Sequence, residues 1–112
     1  MKVAVSSTDK SVESNVSDFF GRCPYFIIAE IKDDKAEIAE VVKNERIDQA
    51  GGVGISSARL MAEKKINAVI AGNMGPRALD VLRQFSIEVY YGKGQVKDVL
   101  QEMAEKKLKK LD

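Results

Sequence analysis

The chain has 112 residues, 45% of them hydrophobic and 31% charged, with 18 basic and 17 acidic side chains, one cysteine and no histidine. That length fits one domain, residues 1–112, with a core that needs no disulfide or metal staple. A net charge of +1 argues against a dedicated nucleic-acid binder, a lone cysteine excludes an intrachain disulfide and CxxC sites, and the missing histidine removes imidazole catalysis and every His-containing metal site.

The opening Met1-Lys2-Val3-Ala4-Val5-Ser6 holds too short an apolar run for a signal-peptide core. No stretch approaches the ~20 apolar residues of a membrane span. A cytoplasmic protein with a reduced thiol and no membrane partner is expected. Residues 2–6 read as a short buried strand, and residues 7–23 as a long loop, polar first and then aromatic. Residues 25–31 are apolar at both alternating positions, the pattern of a strand covered on both faces. After a turn, residues 36–43 form a more polar strand. The two make an antiparallel hairpin, with the polar member at the sheet edge.

Residues 44–52 read as a second long loop, and the stretch 44–54, with three glycines and few apolar anchors, is expected to be loose until a ligand contacts it. The remaining pattern predicts a helix over 53–65, a strand over 67–71, a helix over 75–85 opened by Gly75-Pro76, a strand over 87–91 and a helix over 95–109. Strands separated by helices imply right-handed parallel crossovers. The fold class is therefore α/β: three layers around a five-stranded mixed sheet with one antiparallel strand. The tail carries Lys106, Lys107, Lys109 and Lys110. A solvated helix face near a helix C-terminus explains these better than a nucleic-acid contact.

Three segments are rich in loop chemistry. Phe19-Phe20-Gly21-Arg22-Cys23-Pro24 places the one thiol beside an arginine, a setting that favours a thiolate and metal ligation. A small buried hydrophobe before a strand is the competing reading. Gly51-Gly52-Val53-Gly54-Ile55-Ser56-Ser57 sets glycines and hydroxyls before a helix, where free N–H groups and the helix dipole favour an anion. Gly72-Asn73-Met74-Gly75-Pro76-Arg77 joins a buried strand to a helix, the end of an open α/β sheet where ligands bind. Turns without a ligand account for both glycine segments as well. Ser6 and Ser7 have no histidine base, and Asp9, Glu13 and Asp18 share one loop with no second carboxylate group at the end of a later core strand. No catalytic residue is assigned, and the chain is read as a non-enzyme.

Taken in order, these segments resemble the nitrogenase iron–molybdenum cofactor biosynthesis family, small carriers and scaffolds for metal–sulfur clusters. The marks are Met1 to Ser6, Phe20 to Phe26, Asn44, Gly51 to Gly54, Gly72 to Ala78, and Ile87-Glu88-Val89-Tyr90. The resemblance implies a ribonuclease H-like fold and carriage of a metal–sulfur cluster containing iron or molybdenum. The histidine that family members often carry just before the Phe-Gly pair is replaced here by Phe19, and the one that some carry near the glycine-rich loop by Gln49-Ala50. On this reading Cys23 is the metal ligand, and Gly51, Gly52, Gly54, Gly72, Asn73 and Gly75 form a polar wall beyond the first and fourth strands. Metal-cluster donor or acceptor proteins are the implied partners, with no nucleic acid, and the chain is a monomer or weak homodimer. A small-anion or nucleotide-binding module, or a regulatory protein-interaction module, is the alternative.

Overall fold

The computed structural model of the chain describes residues 1–45 and 50–111. The expected looseness of the 44–54 loop therefore falls partly on residues 46–49, which lie outside the described residues. The elements are β1 (Lys2–Ser7), β2 (Tyr25–Lys32), β3 (Lys35–Lys43), α1 (Val53–Glu63), β4 (Ala68–Ala71), α2 (Pro76–Gln84), β5 (Glu88–Tyr91), α3 (Val96–Ala104) and β6 (Lys109–Lys110). The sheet order is β3-β2-β1-β4-β5-β6. β1 pairs with β4 and β4 with β5 in parallel, while β2 and β6 run against the other strands.

Two expectations are corrected here. The sheet has six strands rather than five, and two of them, not one, run antiparallel. Both corrections come from the C-terminus. The helix expected over 95–109 ends at Ala104. Lys106 adopts φ 61°, the chain turns back, and Lys109–Lys110 pairs antiparallel with β5. These lysines lie on a sheet edge and not on a helix face.

The period-2 alternation of the strands builds two cores. Ala4, Phe26, Ile28, Val69 and Val89 pack with Ala58 and Met61 of α1 and Ala78 and Leu82 of α2. Val3, Val5, Ile27, Ala29 and Ile70 pack with Val96, Val99, Leu100 and Met103 of α3. All three helices end in the same way. Each reverses through a non-glycine residue with left-handed φ, namely Lys65, Ser86 and Lys106. The next amide reaches back into the last turn: Ile66 to Met61, Ile87 to Leu82 and Lys107 to Glu102, at 3.0, 2.9 and 2.8 Å. This is the Schellman geometry. In the first two cases it feeds a buried isoleucine straight into β4 or β5.

At the far edge, β3 is exposed along most of its length. Its register with β2 shifts between Ile28 and Ala29, whose partners are Glu40 and Ile38. The extra residue, Ala39, makes a bulge in the edge strand. Among the described residues no helix is long and apolar enough to cross a membrane.

Candidate functional site

The parallel pairing of β1 with β4 places the carboxyl ends of both strands on one side of the molecule. Three segments meet there around a cleft of ≈ 530 Å³. One wall is Asp18 to Arg22, the second is Gly52 to Ile55 at the start of α1, and the third is Asn73 to Ala78 at the start of α2. Three glycines allow these segments to touch. A Cβ on Gly21 would lie 2.7 Å from the Gly54 nitrogen, and one on Gly72 would lie 2.7 Å from Asp18 Oδ1. A Cβ on Gly54 would lie 3.1 Å from the Ala78 Cβ, so the first turns of α1 and α2 are closely packed. The Gly72 amide donates to the Ser17 carbonyl at 3.0 Å, fastening the loop before the cleft to the β4–α2 turn.

The cleft offers donors. The earliest backbone bond of α1 is Ser56 N–H to the Gly52 carbonyl, and that of α2 is Leu79 N–H to the Gly75 carbonyl. The amides of Val53, Gly54, Ile55, Arg77 and Ala78 have no acceptor among the described residues. Neither helix has a side-chain cap or an acidic residue in its first turn. Two positive helix ends therefore share one cleft. Arg22, Arg77 and the carboxylate of Asp18 are the charged groups among its described lining residues. Apart from Asn73 and the glycines, the rest of the wall is apolar: Phe19, Phe20, Val53, Ile55, Met74, Pro76 and Ala78. Phe19 is 67% exposed at this wall. Such a lining suits an anion with little bound water and a polarisable surface.

The profile of the family described as Dinitrogenase iron-molybdenum cofactor matches residues 1–106. The chain belongs to this family. An uncharacterized protein of Methanocaldococcus jannaschii, MJ0580, is 36% identical over 91 residues, spanning 80% of this chain and 77% of that protein. A solved Thermotoga protein provisionally named NifB, TM1290, is 32% identical with a TM-score of 0.79, covering 98% of this chain and 92% of its own. The apo form of the orange protein from Desulfovibrio gigas superposes with a TM-score of 0.86 at 22% identity, over 98% of this chain and 92% of that one. That last likeness is one of fold. Membership ties the chain to iron–molybdenum cofactor biology.

Within that family frame, the residues singled out from sequence divide. Gly52, Gly54, Asn73 and Gly75 line the cleft, whereas Gly51, Gly72 and Cys23 do not. Gly72 sits beneath the wall, where its missing side chain admits Asp18. Cys23 lies in the core, the placement that the competing reading of the sequence describes. It has 0% exposure and packs with Phe20 and Phe26, whose rings lie 5.6 Å apart. Its thiol donates to the Phe20 carbonyl at 3.2 Å. Burial pushes its pKa from 9.0 up to about 12; the Ser6 hydroxyl and the backbone at Ser7 and Cys23 offset a smaller part. A soft ligand needs a thiolate, and burial works against that form of this thiol. Among the described residues no three His, Cys, Asp or Glu side chains gather as a metal site. The Ser57 hydroxyl is buried without a partner rather than aimed into the cleft.

One residue that the sequence offers only as a mark of the family, with no role at the site, holds the aromatic wall. Asn44, only 2% exposed, follows β3. Its side-chain N–H groups donate to the carbonyls of Gly21 at 3.0 Å and Cys23 at 2.8 Å. Its backbone N–H donates to the Pro24 carbonyl at 2.9 Å. The available signal was a polar amide placed directly between a strand and a loop.

Proposed function

We propose that the cleft carries an anionic metal–sulfur species as cargo, without turning it over. The observation behind this reading is the convergence of two uncapped helix N-termini with Arg22 and Arg77 in one cleft, in a chain of the iron–molybdenum cofactor family. The cargo is held by amide donors, guanidinium charge and apolar contact with Phe19, Ile55 and Met74. Cys23 does not serve as a ligand, because the core encloses it. The donor set present fits a cluster whose outer atoms are anionic sulfides. It does not fit a bare cation. Delivery follows from the same design. A cargo with no covalent bond to the chain leaves when a partner offers thiolates, so a cluster donor and a cluster acceptor are the proteins this carrier serves.

Anaerobic titration with tetrathiomolybdate, followed by absorbance, tests the proposal. The expected result is saturable uptake that weakens as salt rises and persists in the Cys23→Ser variant. Orthophosphate should compete poorly, since it keeps its water shell against an apolar wall. No uptake overturns the proposal, and tight phosphate binding in its place would assign the cleft to a hydrated small anion.

A further inference from the structure

Resting on that reading, we infer that Asn44 is a positioning residue for the cleft, a latch whose carboxamide sets cargo affinity through the segment Phe20–Cys23. The carboxamide lies outside the cleft wall but bonds the carbonyls at both ends of the Gly21-Arg22-Cys23 run. Gly21 in turn touches Val53 and Gly54, which hold the cleft's open amides. With its oxygen engaged by Asn44, the Gly21 carbonyl presents less partial negative charge to an anion. The same two bonds fix where Arg22 leaves the backbone. Releasing them removes one wall without removing any group that touches the cargo.

The chain carries its own reporter. Cys23 is its only cysteine, is fully buried, and its backbone carbonyl accepts one of the latch bonds. Opening the latch exposes the thiol to a disulfide reagent. Local opening and global unfolding separate by urea dependence, because only global unfolding exposes the large surface that urea senses.

The test measures Cys23 labelling by dithionitrobenzoate across a urea series, beside tetrathiomolybdate affinity, in the wild type, Asn44→Ala and Val99→Ala. Val99 lies in the opposite core, under α3, and reports general destabilisation. The expected result for Asn44→Ala is labelling roughly ten- to hundredfold faster without urea, nearly independent of urea, with affinity about tenfold weaker. Val99→Ala should label faster only in step with its lower global stability and bind tetrathiomolybdate as the wild type does. Asn44→Ser keeps one donor, should fall between, and stands in if Asn44→Ala fails to fold. Labelling of the Asn44 variants that tracks global stability, or unchanged affinity, overturns the latch. If the wild type takes up no tetrathiomolybdate, the cargo proposal fails, and fast urea-independent labelling still supports the latch while its absence removes it.

Discussion

The three helix N-termini make an instructive contrast. None has a side-chain cap. At α3 the loop after β1 fills the vacancy: the Val96 amide donates to the Ser14 carbonyl and the Lys97 amide to the Val12 carbonyl, both at 2.8 Å, and Asp98 adds a negative charge to the first turn. At α1 and α2 neither a loop carbonyl nor an acid among the described residues plays that part, and both ends open onto the same cleft. A helix start is thus open to a ligand where the fold leaves its amides unanswered, and a structural joint where a loop answers them.

The strongest way to break this contrast is to fill the open side. Gly21→Val places a Cβ within 3.0 Å of the Gly54 nitrogen and the Val53 carbonyl carbon. Backbone must then move, which should cost about 1–3 kcal/mol in urea denaturation and abolish tetrathiomolybdate uptake. Uptake at wild-type affinity would show that the start of α1 is not part of the binding wall.

The core beneath the cleft gives a second test, one that leaves the cleft wall untouched. The Cys23 thiol ionises at 9.0 in an unfolded chain and at about 12 in the fold. The folded state therefore keeps a proton that the unfolded state releases. The stabilisation is complete below pH 9 and is lost as pH rises toward 12, at about 1.4 kcal/mol per pH unit. Denaturation curves of the wild type and Cys23→Ala should converge across that window. Parallel curves would mean that the thiol is not enclosed.

On the answered side, Lys97→Pro removes the amide that donates to Val12. A loss of about 1 kcal/mol in stability is expected, with no change in uptake. Reduced uptake there would erase the distinction between α3 and the other two helices. The smallest stability effect belongs to Arg77→Ala, an exposed side chain at the cleft. Stability should stay within about 0.5 kcal/mol, while affinity falls a few-fold at low salt and less at high salt. A salt-independent loss would point to packing rather than charge.

The sequence made β1, β2, β4 and β5 readable through dense apolar runs, and the three cleft segments through glycine before a helix. Helix ends were hidden for a reason that one pentapeptide illustrates. Met-Ala-Glu-Lys-Lys occurs at residues 61–65 and again at 103–107. In the first copy the left-handed residue is Lys65, the fifth of the five; in the second it is Lys106, the fourth. Identical local sequence stops the helix at different points, because buried Ile66 leads into β4 while β6 begins at Lys109. No glycine marks either stop, so the stripe of α3 seemed to run on, and β6, made of two lysines, carries no strand signal at all. Cys23 was illegible for another reason. Residue type cannot tell which side of a loop faces the core, and here the side is set by Asn44, more than twenty residues away in the chain.

The bulged strand β3 has a consequence for how copies of this chain meet in a crowded solution. Its outer edge offers a nine-residue template, and Ile38 and Val41 stand 41% and 42% exposed beside it. A second molecule adding itself to that ladder would meet Ala39 out of step and the charges of Lys35, Glu37, Glu40 and Lys43. Ribbon growth from copy to copy is thereby checked at its first step. The cleft lies away from that edge, beyond the carboxyl ends of the two central strands β1 and β4, so protection of the edge and access to the cleft are served by separate parts of the sheet.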